Sequence, residues 1–174
     1  GSDCPTGQVA IAGVRATWAG APDLAARKGT MVYLHGGAWC VHLPALYGTF
    51  AARLSAMTGL RVLLVDYRLA PEHPFPAAVE DAAKAWRWLL QQGFAANRLA
   101  IAGDSAGGGL TIATLVNLRD QKLDLPACAV AISPWVDLGT PDRGVVPAGE
   151  VMVSPAWTAE CARLYLAGCD SSDP

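Results

Sequence analysis

The sequence predicts an α/β fold in which a mostly parallel sheet carries helices on both faces. Short apolar runs of strand length alternate with longer stretches of helical spacing, and this alternation favours parallel strands joined by right-handed crossovers. The run over residues 62–65 is apolar throughout, which is typical of a strand that is covered on both faces. Turn-forming glycines and prolines separate several of the elements. We therefore assign the chain to the α/β class.

The first part of the chain supplies a hairpin, two strands and a helix. Residues 8–18, with Gly13 in the middle, predict two short strands or a hairpin. A run of residues with high β propensity over 31–34 stops at a pair of glycines, and a further strand covers 61–66. Between these two strands, apolar side chains recur at helical spacing at Leu46, Phe50, Leu54 and Met57.

The second part continues the alternation. Pro71, Pro74 and Pro76 predict an extended loop, because each proline biases the residue before it away from helix. The helix after this loop ends at Gly93, and its apolar stripe consists of Val79, Ala83, Trp86 and Leu90. The remaining predicted elements are a strand over 99–102, a helix over 106–119, a buried strand over 127–133 and, after an irregular stretch rich in glycine and proline, a helix over 155–167.

The composition narrows the class of protein. The 174 residues are 52% apolar and 16% charged, with a formal net charge of −2. This length and composition predict a single globular domain over 1–174, whole or truncated, and exclude disorder. No basic stripe is present for phosphates and no apolar run approaches the roughly 20 residues that span a bilayer, so we expect neither nucleic acid nor a membrane span. Five cysteines without a C-x-x-C pair predict no disulfide framework and no metal site, and favour the reducing cytoplasm.

The most informative motif is the G-x-S-x-G sequence Gly103–Gly107, at the junction of a strand and a helix. In this context the serine, Ser105, lies on a tight, strained turn that lifts its hydroxyl above the sheet. The N–H of Ala106 points towards the same space, at a helix N-terminus that favours an anion. Nucleophilic catalysis by Ser105 is one interpretation, and a glycine-rich turn that holds a phosphate is the other.

A second glycine-rich loop favours the catalytic interpretation. The sequence His35–Trp39 (HGGAW) follows a strand about 70 residues before the serine. Glycine backbone after a strand can turn its N–H groups towards Ser105, and donors at about 3 Å from a developing oxyanion lower the barrier by several kcal/mol. The order of the two motifs, with the loop first and the serine turn later, favours a site for acyl chemistry over a plain glycine turn.

Four blocks of sequence resemble the hormone-sensitive-lipase-like branch of the α/β-hydrolase esterases. In order they are Tyr33–Trp39 (YLHGGAW), Asp66–Ala78 (DYRLAPEHPFPAA), Gly103–Gly108 (GDSAGG) and Ser133–Leu138 (SPWVDL). The resemblance runs from Gln8 to the last residue. It implies an α/β-hydrolase fold with about six of the usual eight strands, and a serine carboxylesterase that hydrolyses short- to medium-chain acyl esters without a cofactor.

The resemblance also implies roles for individual residues. Ser105 would be the nucleophile, and an oxyanion hole would be formed by backbone N–H groups of Gly36, Gly37, Ala38 and Ala106. Ala38 stands where the family usually has glycine, and its methyl group leaves the backbone donor in place while narrowing the site. Four apolar residues are candidates to line an acyl pocket, with ordinary packing as the alternative: Trp39, Leu43, Phe75 and Trp157.

The sequence lacks a histidine after Ser105, although a serine hydroxyl needs an oriented imidazole to take its proton. Three histidines precede Ser105. We expect His35 to brace the loop His35–Trp39, called the oxyanion loop below, and we expect His42 and His73 to be loop residues. The resemblance assigns the triad acid and histidine to strands that this sequence lacks, with 139–174 leading into a partial cap region. We therefore expect an incomplete chain with little activity alone.

Two expectations concern partners and an alternative function. Without further strands, 127–133 would be a sheet edge with unpaired backbone groups, which predicts self-association or pairing with a missing C-terminal segment. The alternative to an enzyme acting on a small acyl ester is a receptor-like binding module on the same fold, which keeps the pocket and Ser105 but has no base. A histidine supplied by a further segment distinguishes the enzyme from the binding module.

Overall fold

The computed structural model describes residues 6–23, 29–139 and 154–171. Within these ranges the chain forms one six-stranded sheet with the spatial order β1-β2-β4-β3-β5-β6. The strands are β1 (Thr6–Ile11), β2 (Val14–Ala19), β3 (Thr30–Leu34), β4 (Arg61–Asp66), β5 (Leu99–Asp104) and β6 (Cys128–Ile132). The four main helices of the described ranges are α1 (Pro44–Thr58), α2 (Ala77–Gln91), α3 (Ala106–Asp120) and α4 (Pro155–Leu166).

Strand directions agree with the predicted mostly parallel sheet. β3 pairs in parallel with both β4 and β5, and β5 pairs in parallel with β6. β1 and β2 form the predicted hairpin, with Ala12 and Gly13 at its turn, and β2 continues antiparallel onto β4. The α/β class with a mostly parallel sheet that the sequence predicts is confirmed in the described part of the chain.

Helices cover both faces of the sheet, as predicted. On one face, the buried core joins inward side chains of β3, β4 and β5 to α2 and α3, with Trp86, Leu89 and Leu110 fully buried. On the other face, Ala51, Tyr47 and Leu54 of α1 pack against Met31, Tyr33 and Leu64. At about 25 cal/mol per Å² of apolar area, burial of side chains of this size is the main stabilising contribution to the sheet–helix contacts.

The strand predicted over 127–133 lies at the sheet edge, as expected without further strands, but the expectation that it is buried is wrong. The strand expected over 127–133 is present as β6, but all five of its residues are exposed rather than buried. Its apolar sequence satisfies the pattern of a covered strand, yet only β5 pairs with it in the described part of the chain. The predicted irregular stretch after Pro134 lies mostly in 140–153, outside the described residues.

The topology brings the two predicted motifs to the same edge of the sheet. β3 and β5 are parallel neighbours, with Leu34 opposite Gly103. The loop that follows β3 and the turn that follows β5 therefore leave the sheet side by side. Carboxyl ends of neighbouring parallel strands are where open α/β sheets form their ligand sites.

Candidate active site

Ser105 lies on a strained turn between β5 and α3. Its backbone has φ 52° and ψ −120°, a conformation that non-glycine residues rarely adopt. The turn is held by its neighbours, because the Ser105 N–H donates to the carbonyl oxygen of Ile132 (2.9 Å) and the Trp135 N–H donates to the Ser105 carbonyl (3.0 Å). The residue is exposed at the surface. The strain thus presents the Ser105 side chain to solvent at the start of α3.

Two glycines allow this turn to fit against the sheet. A Cβ atom on Gly103 would collide with the backbone of Gly107, and one on Gly107 would collide with the carbonyl oxygens of Leu34 and His35. Backbone atoms cannot move aside as a flexible side chain can, so both positions exclude larger residues. The G-x-S-x-G spacing therefore lets α3 begin in direct backbone contact with β3 and β5.

The loop after β3 is a left-handed turn. Gly37, Ala38 and Trp39 have φ values of 123°, 52° and 56°. The Gly37 carbonyl accepts hydrogen bonds from Cys40 N–H (3.0 Å) and Val41 N–H (2.8 Å), so it points into the turn. Because a trans peptide directs N–H opposite to the C=O that it adjoins, the Ala38 N–H points out of this turn.

The same reasoning orients two other amides. The Gly36 carbonyl accepts a hydrogen bond from Nδ1 of His35 (2.7 Å). The Gly37 N–H belongs to the same peptide and points the opposite way, so it points away from the His35 ring. The Ser105 carbonyl accepts from Gly109 N–H (3.0 Å) along α3, and the Ala106 N–H points back beyond the helix N-terminus. In the described part of the chain, no hydrogen bond occupies the amides of Gly37 and Ala38.

Gly36 was expected to be a fourth donor, and that expectation is wrong. Its N–H donates to Oδ1 of Asp104 (3.0 Å) and to the hydroxyl of Tyr47 (3.0 Å). An amide that is already shared between two acceptors is not available to an oxyanion. We therefore restrict the proposed hole to Gly37, Ala38 and Ala106.

Asp104, next to the serine, braces the oxyanion loop. Its carboxylate accepts from Tyr33 Oη (2.8 Å) and the Gly36 N–H on Oδ1, and from Tyr47 Oη (2.8 Å) on Oδ2. Burial and the hydrogen bonds to this carboxylate raise the pKa of both phenols, so both hydroxyls stay protonated donors. One carboxylate thus ties the serine turn to the loop that precedes it by about 70 residues.

His35 also has a bracing role. Its fully buried ring lies between Tyr67 (4.3 Å between centroids) and His42 (4.2 Å), and both pairs are stacked. Burial lowers the pKa of His35 to about 4, although its bond to Gly36 acts in the opposite direction, so the ring is neutral near pH 7. A group of such low basicity, enclosed on both faces, is unsuited to be the general base for Ser105.

His42 and Asp66 form a pair beside this stack. Nδ1 of His42 is 2.9 Å from Oδ1 of Asp66, whose other oxygen is 3.0 Å from Nε of Arg15. Among the described residues, His35, His42 and Asp66 are the group that offers three metal-ligating atoms within 4.8 Å of one another. The two imidazole planes are only 12° apart in the stack, so their in-plane lone pairs do not converge on one point, and we assign the group to bracing.

A cavity of about 740 Å³ lies beside this pair rather than at the serine. It is bounded by the β1–β2 hairpin, the start of α1 and the end of β4, and His42 and Asp66 line it while Ser105 does not. Because it lacks both the nucleophile and the oriented amides, its size does not make it the reaction site.

The residues expected to line an acyl pocket are dispersed in the structure. Trp39 is buried, stacks on Tyr165 of α4 (4.3 Å) and, with Phe75, lines an apolar cavity of about 180 Å³. Leu43 precedes α1 and is 52% exposed, and Trp157 in the first turn of α4 is 43% exposed. Among the described residues, no hydrogen bond or ring contact joins Trp39, Leu43 and Trp157. Their role in substrate binding stays a proposal.

Tyr47 is a site residue that sequence reasoning missed. It lies on α1, between the two motif loops in the sequence, and its hydroxyl contacts both Gly36 and Asp104. The only sequence signal is an aromatic pair with Phe50 at i, i+3, which is equally typical of core packing. Tyr33 also forms a hydrogen bond to Asp104. In the sequence it is a strand residue with high β propensity and the first residue of the block Tyr33–Trp39, and neither feature indicates this bond.

Comparison with known proteins identifies the family. Residues 31–174 match the family model described as alpha/beta hydrolase fold, and the chain belongs to this family. The chain is 38% identical to an esterase from the bacterial hormone-sensitive lipase family, with a TM-score of 0.87 over 100% of this chain and 59% of that one. A second solved structure, an esterase/lipase from an uncultured bacterium, is 43% identical with a TM-score of 0.89 and the same coverage. The resemblance to hormone-sensitive-lipase-like esterases is confirmed.

Two curated relatives are named for small esters. An acetyl-hydrolase from Streptomyces hygroscopicus is 44% identical over 147 residues, 83% of this chain and 49% of that protein. An ethyl acetate hydrolase from Pseudomonas putida is 40% identical over 120 residues, 66% of this chain and 38% of that protein. The chain therefore spans about half or less of the length of these two relatives. In the described ranges, no helix has the length and apolar character that crossing a bilayer requires.

Proposed function

We propose that the protein is a serine carboxylesterase in which Ser105 carries the acyl group. The observation that supports this most directly is the pairing of the strained, exposed Ser105 with three amides whose orientation is fixed by their neighbours: those of Gly37, Ala38 and Ala106. A turn that merely held a phosphate would need neither the strained serine nor the second loop. The names of two relatives, an acetyl-hydrolase and an ethyl acetate hydrolase, support carboxylic esters with a short acyl chain as substrates. Medium acyl chains and a reaction without a cofactor enter the proposal through the resemblance to hormone-sensitive-lipase-like esterases.

The proposed reaction proceeds in two acyl transfers. Oγ of Ser105 forms a bond to the ester carbonyl carbon, and the carbonyl π electrons move onto oxygen, where the three amides stabilise the negative charge. The serine proton passes to a base and then to the alkoxide as the carbon–oxygen bond of the alcohol breaks. Water then adds to the acyl-enzyme with the same proton movements in reverse, which releases the carboxylic acid and restores the Ser105 hydroxyl.

The base is the component that the described residues do not supply. His35 is enclosed in its stack, His42 is paired with Asp66, and His73 lies exposed in the proline-containing loop. In the described part of the chain, no histidine forms a hydrogen bond to Ser105. We propose that the base is a histidine oriented by an acid, both from a segment outside the 174 residues, and that these residues alone hydrolyse esters poorly.

Three finer features belong to this proposal. We propose that β6 accepts a further strand, from a second copy of this chain or from a C-terminal segment, since its five residues are exposed and apolar. We also propose a cytoplasmic location, because a reducing compartment fits the free cysteines Cys40, Cys128, Cys161 and Cys169. The acyl pocket would include Trp39, Leu43 and Trp157.

The catalytic proposal is tested with the longest open reading frame that contains this sequence and with p-nitrophenyl butyrate as substrate. We expect Ser105→Ala to reduce kcat/KM by about a thousandfold or more, because it removes the nucleophile. The control is Thr49→Ala, which deletes an exposed hydroxyl on α1 and is expected to leave the rate unchanged. Binding of the ester with no Ser105-dependent turnover would contradict the enzyme and favour the receptor-like module.

A further inference from the structure

We infer that the hydroxyl of Tyr47 positions the oxyanion hole, because its hydrogen bonds link α1 to both the oxyanion loop and the serine turn at Ser105. This inference rests on the proposed esterase function and adds a residue to it. Tyr47 comes from neither motif, and its hydroxyl forms hydrogen bonds with Gly36 and Asp104. It is therefore a positioning residue and not a catalytic one.

The hydrogen bonds around Tyr47 form a closed set. Its Oη accepts from the Gly36 N–H (3.0 Å) and donates to Oδ2 of Asp104 (2.8 Å), while Oδ1 of Asp104 accepts from the same N–H (3.0 Å). The N–H is thus shared by two oxygens that are themselves linked through one carboxylate. A Cβ atom on Gly36 would lie 2.9 Å from the Tyr47 hydroxyl and closer still to Asp104, so the fit also depends on glycine.

Tyr33 binds the same carboxylate of Asp104 but links fewer segments of the site than Tyr47 does. Its hydroxyl donates to Oδ1 of Asp104 (2.8 Å) and, in the described part of the chain, forms no hydrogen bond with Gly36. Tyr33 belongs to β3, which already carries the oxyanion loop, whereas Tyr47 links a separate helix to that loop. Of these two tyrosine hydroxyls, that of Tyr47 therefore links the start of the loop, the serine turn and α1 to one another.

The position of Gly36 determines where the first proposed donor points. The carbonyl of Gly36 and the N–H of Gly37 belong to one peptide plane, so any rotation at Gly36 turns that N–H. Without the Tyr47 hydroxyl, Oδ2 of Asp104 loses its phenol donor and the Gly36 N–H keeps one acceptor instead of two. The donor would then be misdirected from the oxyanion, which exists only in the transition state and the tetrahedral intermediate.

This role predicts a particular kinetic change. An interaction realised only in the transition state lowers kcat when it is lost, whereas loss of uniform substrate binding raises KM. In the full-length esterase, we expect Tyr47→Phe to lower kcat on p-nitrophenyl butyrate about tenfold with KM changed less than twofold. The phenyl ring keeps its contacts with His35 and Tyr33, at 5.3 and 6.4 Å between ring centroids.

Phe50→Leu is the matched control for packing. Phe50 lies one turn further along α1. Its ring packs against the rings of Tyr33 (5.2 Å between centroids) and Tyr47 (6.5 Å), but it forms no hydrogen bond with Gly36 or Asp104. We expect this variant to keep the wild-type kcat and KM. An equal loss of kcat in Phe50→Leu and Tyr47→Phe would show that ring packing alone matters, and would overturn the inference.

A second readout separates this inference from the proposed function. In the full-length protein labelled with ¹⁵N, Tyr47→Phe should shift the amide proton of Gly36 upfield and accelerate its exchange with solvent, and Phe50→Leu should leave both unchanged. An unchanged Gly36 amide in Tyr47→Phe, or a loss that appears in KM instead of kcat, contradicts the inference. Absence of Ser105-dependent turnover in the wild-type full-length protein contradicts the proposed function, and the positioning role with it. The Gly36 amide signal would then still test whether the Tyr47 hydroxyl binds Gly36.

Discussion

At the scale of single residues, the site is defined by where backbone groups point. Ser105 and Ala38 hold positive φ angles that cost on the order of 1–3 kcal/mol each. Hydrogen bonds with Ile132 and Trp135 hold the Ser105 backbone, and the turn that contains Ala38 closes through hydrogen bonds to the Gly37 carbonyl. The Gly36 N–H donates to Asp104 and Tyr47, and the Gly36 carbonyl accepts a hydrogen bond from Nδ1 of His35. Gly36 is thus anchored on both sides, and the amide of Gly37 carries no hydrogen bond in the described part of the chain, as the proposed oxyanion hole requires.

His35 predicts a pH dependence of stability. Its folded pKa is lowered to about 4 from an ordinary value of 6.5, mainly by burial. Between these values the unfolded chain binds a proton that the folded chain does not, so stability falls as the pH drops from about 6.5 to 4, by up to about 3 kcal/mol.

Urea unfolding of wild type and His35→Gln across this range measures that contribution. The free energy of unfolding of the variant should fall less steeply with acid than that of wild type. His73→Gln, which changes an exposed histidine, should follow the wild-type curve. Parallel curves for wild type and His35→Gln would show that His35 is not a buried neutral group.

At the scale of elements, the close approach of α3 to the sheet depends on glycine. Gly107 lies where the start of α3 touches the backbone of the loop after β3, and any Cβ there meets the carbonyl oxygens of Leu34 and His35. Gly48 lies in the interior of α1, and a Cβ atom added to it would meet no atom within 4 Å, so its surroundings are open. The two glycines therefore have opposite tolerance for a methyl group.

We expect Gly107→Ala to destabilise the chain by about 3 kcal/mol or more, because backbone must move to remove the clash. Gly48→Ala should be neutral or stabilise by up to about 1 kcal/mol, because alanine favours helix over glycine. Urea midpoints of the two variants test this difference directly. A Gly107→Ala protein as stable as wild type would mean that α3 does not pack directly against β3.

At the scale of the whole molecule, the exposed strand β6 is the feature that bears on association with another chain. All five residues of this strand are exposed, and Val130 and Ile132 retain 46% and 45% of their accessible area. In the described part of the chain its only strand neighbour is β5, so its other edge presents backbone N–H and C=O groups. Apolar faces and an unpaired edge together favour pairing with another chain.

Sedimentation of the 174-residue chain tests this pairing. We expect self-association at micromolar concentration, and we expect Val130→Lys to weaken it, because a charged residue on an edge strand opposes pairing. Met57→Lys, on an exposed side chain of α1, is the control and should sediment like wild type. A monomeric wild-type chain at micromolar concentration would argue against the proposal, unless addition of a downstream segment forms a complex.

The sequence determined some of these features better than others. Strand–helix alternation and the turn at Ser105 are local, so periodicity and the G-x-S-x-G spacing were sufficient to predict them. The engagement of Gly36 was not predictable, because its acceptors come from residues 11 and 68 positions away, Tyr47 and Asp104. Burial of β6 was mispredicted for a similar reason, since an apolar run specifies a strand but not whether another segment covers it.

The central claim is that the amides of Gly37, Ala38 and Ala106 converge on an oxygen bound to the carbon attached to Ser105. The most direct measurement is a crystal structure of the full-length protein after reaction with an alkyl fluorophosphonate, whose tetrahedral adduct resembles the acylation intermediate. The account predicts phosphorus bonded to Oγ of Ser105, with one phosphoryl oxygen about 3 Å from each of the three amide nitrogens. An adduct on Ser105 whose phosphoryl oxygens face solvent, out of reach of these amides, would contradict it.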